Sequence, residues 1–547
     1  MKRSIGSDAE RLKGIMAKHT KTKKLKWAVL TLFLLLISAV VFAVSAHGFI
    51  LLTQKTSLLL CGLLALLCAV LGFISFSYKR GKSGIVAAVN VLLSIFLISG
   101  SLYLPVMEKK LNNIFTASPD TVDMKINVYA LTVDYLNNHP DVSQKYGQII
   151  ESDDIQEFRD HQIITQRTSD LSNQEYALEQ LKDLWSTDTL NINETEGIID
   201  AAEALYSGDG ELLILNEYYV PMLEDQTGFE SFTQDTRILY TITKQIKIEK
   251  EEPVTDKEEK DNSSDAFTIY IAGNDTRSSY LSIYGRTDVN LLLTVNPTSK
   301  QILITGIPRD AYIPNPALGY GNDKLTHLGN DGIPNTMAGI GEYFGIDIDH
   351  YLTVNFVTFK NIIDAVGGID IYNPYYFTTV NGNGHYDAGD FDFEEGNIHL
   401  YGDGALAYCR ERYNLPNGDY GRNEHQTIVL KGMIDKLTSA AILTSFDTVL
   451  NSLQGQFITD MSNDQIYELV RKQLDIGGSY NIVSYHLGGN GAMQGTASMG
   501  WGRMLYTVNL FDSQVEFIKE QINKVIAGET LEQSELPEAD NTTFIPN

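Results

Sequence analysis

Between residues 266 and 310, three pairs of charged residues stand where apolar runs end: Asp275 with Arg277, Arg286 with Asp288, and Arg309 with Asp310. The runs themselves, 267–272, 290–295 and 301–307, are β-rich, and each stops at a turn signal. A rigid sheet that presents carboxylates and guanidiniums together suits a metal ion plus a pyrophosphate better than it suits a core. Arginine usage points the same way, because residues 266–430 hold six arginines (Arg277, Arg286, Arg309, Arg410, Arg412, Arg422) but only three lysines (Lys300, Lys324, Lys360). A planar guanidinium grips phosphate oxygens in pairs, which an ammonium does not. Salt bridges to the many Asp and Glu residues are the plainer alternative. Asp275 and Asp288 are the metal candidates: a pyrophosphate brings its own oxygens and waters, so one or two carboxylates are enough to hold Mg²⁺ (or Mn²⁺) against it. The plainer role for each is to cap a turn after a strand. Asp310 is expected to orient Arg309 rather than bind metal.

The rest of the chain has to hold these residues in place. Its 547 residues, 43% hydrophobic and 10% aromatic, can build two or three globular cores. The formal charge of -27 is uneven. Residues 1–26 carry nine Lys or Arg against Asp8 and Glu10, Lys55 adds one positive charge, and Lys79, Arg80 and Lys82 add three, so residues 105–547 sum to -27 - 11 = -38. Three uncharged apolar runs, 27–46, 57–78 and 85–104, explain the split, since about 20 residues of helix cross the hydrocarbon of a bilayer. The basic residues lie before the first run and between the second and third. The positive-inside rule therefore predicts a multi-pass protein of the cell membrane, with its N-terminus in the cytoplasm and everything after residue 104 outside. A cleaved signal peptide is disfavoured, because two further spans follow at once. The basic tail does not read as a nucleic-acid site, because no helix-turn-helix pattern accompanies it. Cys61 and Cys68 fall in the second span, which leaves Cys409 as the one thiol outside; it is expected to be a small buried hydrophobe, not a nucleophile.

Composition divides the outer part. After the cytoplasmic tail (1–26) and the membrane segment (27–104), residues 105–248 read as a smaller α/β domain. It has a strand over 123–133, helices over 173–185 and 198–206, and a short buried strand over 212–215. It shows no cluster that suggests chemistry and is expected to be an accessory binding or spacing module. Residues 249–265 are dense in charge, with Val254 the sole aliphatic residue, and read as a linker. Residues 266–527 form the second domain, and 528–547 are expected to be a disordered acidic tail. Two patterns look functional without being so. Asp387, Asp390, Asp392 and Glu394 lack the spacing of a calcium loop and read as a solvated acidic loop. The glycines of 488–491 have no following Lys-Ser/Thr and read as a plain turn.

Beyond the opening segment come GNDKLTH at 321–327, the helix-like FVTFKNIIDAVGGIDI at 356–371, LYGDGALAYCRERY at 400–413 and GDYGRNEHQ at 418–426. In this order, spread over about 160 residues, these blocks resemble the catalytic domain of the LytR-CpsA-Psr family, cell-envelope enzymes that join glycopolymers to peptidoglycan. The resemblance is good over 267–437 and looser beyond. Three spans followed by an accessory domain further resemble its capsule-linked type. The resemblance implies an α/β/α sandwich with a mixed central sheet, preceded here by the smaller α/β domain and three transmembrane helices. It implies a polyprenyl pyrophosphate-linked glycan, capsular polysaccharide or teichoic-acid-like, as donor, a divalent metal, and a peptidoglycan acceptor. Polysaccharide biosynthesis proteins are possible further partners, and pyrophosphate hydrolysis a possible side activity. A noncatalytic regulator or scaffold of envelope polysaccharide synthesis is the alternative.

Arg286, Arg309, Arg410 and Arg412 fall at family positions and are expected to act on the pyrophosphate. Arg277, Lys324, Asp419, Arg422 and Gln426 are expected to help bind it, with Asp275 and Asp288 on the metal. Two departures stand out: His425 where the family usually has a basic residue, often Arg, before the Gln, and Gly306 where Ser is frequent. Arg422 and Gln426, four apart at the start of a helix running to Leu437, can share a pocket. Arg410 and Arg412 are two apart, about 200° around a helix, so a shared ligand requires the helix begun near Asp403 to loosen by Arg410. An apolar channel for the lipid is needed; the helix over 354–366 and the sheet face are candidates, though ordinary core is the plainer reading.

Overall fold

The structure is a computed structural model and describes residues 26–27, 29–77, 83–115, 121–146, 149–248, 266–274, 281–379, 391–415, 418–439, 449, 452–453 and 455–537. The expected linker, Asp275, Arg277, Asp387, Asp390 and the last ten residues lie outside these.

Three helices are long and apolar enough to cross a membrane: α1 over Val29–His47, α2 (Gln54–Ser77) and α3 (Ser83–Phe115). They pack through Leu35, Ala39, Cys68 and Leu97, and Gly100 leaves room for the Phe42 ring, which a Cβ there would meet at 2.7 Å. The third helix does not stop at Leu104 as expected. It runs through Pro105 to Phe115, losing one backbone hydrogen bond at the proline.

The first sheet beyond the membrane segment is mixed and five-stranded, in the order β3-β2-β4-β1-β5, with β1 Thr121–Leu131, β2 Ile163–Gln166, β3 Ile192–Thr195, β4 Leu212–Asn216 and β5 Thr236–Lys247. In β4, Leu212 and Ile214 face one layer, with Leu181 and Trp185 of α4 (Leu171–Trp185). Leu213 and Leu215 face the other, with Ile199 and Leu205 of α5 (Ile198–Ser207). That is the period-two alternation of a strand buried on both faces. The short α6 (Val220–Glu224) follows β4, pinned by the buried Met222 and Leu223.

The second sheet is also mixed and has six strands, in the order β16-β11-β6-β7-β8-β17. Its strands are β6 Phe267–Asn274, β7 Thr287–Asn296, β8 Gln301–Gly306, β11 His350–Asn355, β16 Ile458–Thr459 and β17 Asn481–His486. Strands β6, β7 and β8 are antiparallel neighbours, flanked by parallel pairings of β11 with β6 and of β17 with β8. The small ribbons β9 (Tyr312–Asn315) with β10 (Gly321–Lys324), β12 (Ile369–Asn373) with β15 (Gly396–Leu400), β13 (Phe377–Thr378) with β14 (Asp392–Phe393), and β18 (Gly489–Thr496) with β19 (Gly500–Leu510) decorate it.

Alternation again sets the layers. Leu292, Leu303 and Val483 pack with Ile340 of α7 (Ile333–Phe344) and with Ile518 and Ile522 of the C-terminal helix Asp512–Ile526. Leu291, Ile302, Ile304 and Ile482 face the opposite layer. That layer is built from α8 (Phe356–Ala365), α9 (Gly402–Arg410) and α10 (Asp419–Thr438). The mixed α/β, three-layer expectation agrees with this architecture.

Three local expectations need correction. The helix begun at Phe356 ends at Ala365, because Gly367 and Gly368 take φ of +80° and +82°, and Ile369 then opens β12. The glycines at 489–491 form the start of β18, not a turn; Gly489 lies so close to β19 that a Cβ would sit 2.3 Å from the Asn509 carbonyl. Residues 528–537, assigned to the disordered tail, are instead packed: Leu531 and Leu536 enter the core and Gln533 bonds both backbone groups of Ser484.

His425 proves to be a core residue. It stacks on Tyr408 with ring centroids 4.0 Å apart, donates from Nδ1 to the Tyr408 carbonyl at 3.0 Å, and is fully buried. Burial pushes its imidazole down to about 4, against the opposing effect of that hydrogen bond. Because the folded state holds the neutral ring, stability is full above the unfolded value of about 6.5 and is lost as pH falls towards 4, by about 3 kcal/mol in the limit. Melting curves of the full chain in detergent between pH 7 and 4 should show this slope, and His425→Phe should flatten it; an equal slope in the variant excludes His425 as its source.

Candidate active site at the end of an apolar cavity

The layer of α8 and α10 does not close fully on the sheet. A cavity of about 890 Å³ remains, floored by Ile271, Leu291, Leu293, Leu352 and Val354 and roofed by Phe356, Phe359 and Ile362 of α8 and by Val429, Leu430, Met433 and Ile434 of α10. The sequence reading preferred ordinary core for this face. The spacing is the same for either outcome; only the separation of the layers tells them apart.

Charged residues from four elements line the same cavity. Arg286 and Asp288 flank the first residue of β7, and Arg309 follows β8 by three positions. Arg410 is the last residue of α9, Arg412 lies just beyond it, and Arg422 and Gln426 stand one turn apart on α10. The helix therefore does end at Arg410, and both arginines of the pair line one cavity. Glu411 makes this possible. Fully buried and in extended conformation, it accepts through Oε1 from the amides of Arg412, Tyr413 and Asn414 at 2.9, 2.8 and 3.1 Å. Three consecutive N–H groups on one carboxylate fold the chain away from the helix axis and aim Arg412 back. Aromatic faces hold both guanidiniums: Arg410 lies 4.4 Å from the Phe356 ring centroid and Arg412 lies 4.7 Å from that of Tyr413.

Asp288 anchors the group, with Arg309 Nη1 donating to it at 2.7 Å. Burial raises its carboxyl, but Arg309, Arg422 and Arg286 together outweigh burial and bring it to about 2. It is thus ionised at any physiological pH. Asp310, expected to orient Arg309, pairs with its Nε at 3.9 Å through one oxygen and more closely with the Lys324 ammonium, at 3.1 Å, through the other. Lys324 does not line the arginine cavity; it lines a second, smaller one. Asp419 opens α10, but its side chain, like Asp275 and Arg277 entirely, lies outside the described residues. Cys409 is buried and burial pushes its thiol far up, so it is no nucleophile.

Among the described residues no group of three or more His, Cys, Asp and Glu converges to hold a metal. One ionised carboxylate among guanidiniums fits a cation that arrives with a pyrophosphate better than a resident one. Asp288 is the sequence-predicted metal residue that the described structure places in the cavity.

Sequence reasoning missed two groups here. Glu411 was readable in principle, as an acid between two functional arginines. Asp225 was not: it follows α6 in the first sheet's domain, yet it lines the cavity and pairs with Arg286. No local pattern announces a contact between residues so far apart in sequence.

The LytR_cpsA_psr family model matches residues 236–509. The Enterococcus faecalis polyisoprenyl-teichoic acid–peptidoglycan teichoic acid transferase TagU is 33% identical over 235 residues, 43% of this chain and 73% of its own length. The Bacillus anthracis TagU is 35% identical over 219 residues, 40% of this chain and 68% of its own. The crystal structure of B. subtilis TagV aligns at 24% identity with a TM-score of 0.39, over 49% of this chain and 98% of that one.

Losing the Glu411 carboxylate frees three amides and the turn they hold, and hydrogen bonds to a charged group are worth about 1.5–3 kcal/mol. Glu411→Ala should therefore weaken binding of inorganic pyrophosphate, measured by calorimetry, by about tenfold or more. Glu411→Gln should recover part of it; unchanged affinity in both variants means Arg412 needs no such support.

Proposed function

We propose, starting from the fact that this chain belongs to the LytR_cpsA_psr family, that it is a membrane-anchored transferase. In this reading it moves a glycopolymer from a polyprenyl pyrophosphate carrier onto peptidoglycan. The observation that carries the proposal is the join of an apolar cavity of about 890 Å³ to a cluster of Arg286, Arg309, Arg410, Arg412 and Arg422 around Asp288. One ligand class matches both halves: a long hydrocarbon ending in a pyrophosphate. The relatives' names supply the class of polymer, teichoic acid, and the acceptor, peptidoglycan. Capsular polysaccharide is the other candidate polymer for this chain. The positive-inside pattern supports a cytoplasmic N-terminus with both sheets outside, where peptidoglycan is.

Chemically, the arginines neutralise and orient the pyrophosphate, a stabilisation that needs no covalent enzyme intermediate. The acceptor hydroxyl oxygen forms a bond to the phosphorus nearer the glycan, and that phosphorus loses its bond to the bridging oxygen. The bridging oxygen leaves with the electron pair as polyprenyl phosphate, and the hydroxyl proton is released. Asp288, with Asp275 by sequence, would hold Mg²⁺ or Mn²⁺. When bound, such a cation adds charge neutralisation at the pyrophosphate oxygens. Gln426, 5% exposed and lining the cavity, can donate an amide hydrogen to a phosphate oxygen.

The test is release of polyprenyl phosphate from a polyprenyl pyrophosphate-linked glycan by the full chain in detergent, with Mg²⁺ and a peptidoglycan acceptor. Arg286→Ala and Asp288→Ala should each lower kcat by about 10²–10³. Chelation by EDTA should abolish release if the cation is required. A chain that binds the lipid but never cleaves it, with any acceptor or metal, is a regulator or scaffold.

A further inference from the structure

The second cavity, about 260 Å³, lies against the first and shares Asp225 with it. Its walls come from three places: Met222, Asp225, Gln226 and Thr227 around the end of α6, Lys324 and His327 after β10, and Met493, Met504 and Tyr506 on the β18–β19 hairpin. Its volume is just below the roughly 300–1,000 Å³ of small-molecule sites, which suits one ring-sized group rather than a chain.

Three features point to what that group is. The lining mixes neutral hydrogen-bonding groups and two ion-paired side chains, Asp225 and Lys324, with thioethers, so it is complementary to a ligand with polar edges and an apolar face. Among the described residues the side chains of Gln226 and Thr227 make no hydrogen bond, leaving donors and acceptors open to a ligand. At the cavity mouth the lining residues Met493 and Met504 are themselves exposed, and beside it Trp501 of the hairpin and Tyr320 on the neighbouring turn are exposed, with Trp501 over Gly321. Exposed aromatic and thioether surface beside a polar recess matches the C–H faces of a saccharide.

We propose that this second cavity is the acceptor site: it takes one sugar of the acceptor glycan, and Asp225, the wall common to both cavities, accepts the hydrogen bond of the attacking hydroxyl. The proposal rests on the transferase reading above and adds where the second substrate enters. The donor's lipid fills the first cavity and its pyrophosphate the arginine cluster, so an acceptor must reach the phosphorus from another side. Asp225 is placed there, 61% exposed at its side chain and paired with Arg286. As the oxygen–phosphorus bond forms, the hydroxyl proton passes to the Asp225 carboxylate and then to solvent, while the leaving polyprenyl phosphate keeps the electron pair of the broken bond. Lys324, expected on the donor pyrophosphate, then serves the acceptor side, where its ammonium is fixed by Asp310 at 3.1 Å. The domain of the first sheet is thereby part of acceptor recognition.

Steady-state transfer by the full chain in detergent, from a polyprenyl pyrophosphate-linked glycan to a soluble uncross-linked peptidoglycan chain, tests this. Gln226→Ala and the cavity-filling Thr227→Trp should each raise the acceptor KM at least tenfold, while the donor Kd, measured without acceptor, stays within twofold of wild type. Asp225→Asn should lower kcat for transfer by a similar factor, with the pH dependence of kcat changed. An unchanged acceptor KM in both cavity variants overturns the proposal, as does a weakened donor Kd, which would give the cavity to the donor's own glycan. A wild-type chain that neither binds nor cleaves the donor fails the transferase reading itself, a result separate from either of these.

Discussion

The crowding of guanidiniums around one carboxylate is the constraint that the rest of this molecule serves. Arg286, Arg309 and Arg422 all act on Asp288 strongly enough to reverse the effect of its burial. Like charges at such range repel, more so beside an apolar cavity than in water, and side chains free to move would separate. Four of the cavity's arginines are each tied to a separate partner. Arg309 is held by Asp288, Arg286 by Asp225, Arg410 by the face of Phe356 and Arg412 by Tyr413. A site assembled this way is rich in positive charge, and on the proposed reading the donor's pyrophosphate balances it.

The first sheet's domain is built into this arrangement. Beyond Asp225, Tyr218 donates at 2.7 Å to Ser282, in the segment that carries Arg286, and Tyr219 donates to Asp331 at 3.0 Å. Tyr219 is fully buried, and its hydroxyl in turn satisfies a carboxylate that burial alone would leave protonated near neutrality. Removing the domain would expose these polar groups and take Asp225 from Arg286 at once. On the proposed reading, a module with no chemistry of its own in its sequence therefore still bears on the chemistry next to it.

Much of this was legible in the residues. The strand runs at 267–272, 290–295 and 301–307 appear within two or three residues of β6, β7 and β8, because alternating burial on two faces writes a clear pattern. The break after Arg410 was expected on the condition that Arg410 and Arg412 share a ligand, since two residues two apart cannot do so on one helix. What stayed hidden was set by distance. The partnering of Arg286 with Asp225 and of Lys324 with Asp310 depends on which loops meet, and composition carries no trace of that. The packed segment at 528–537 was hidden for the opposite reason: its acidic composition suggested disorder, while two leucines and one glutamine were enough to dock it.

The apolar cavity and the arginine cluster also divide the energetic labour on the proposed reading. Donor and lipid product share the same hydrocarbon, so burial in the cavity, at about 25 cal/mol per Å², holds both equally. The same hydrocarbon is present in the transition state, and binding that is uniform between substrate and transition state raises affinity without raising kcat. Only the arginine end distinguishes the two, because the product carries a single phosphate where the donor carried two. Release therefore depends on how many guanidinium contacts the lost phosphate had made. A cluster drawn from several elements, each arginine held independently, lets that difference be large while the lipid's grip stays constant.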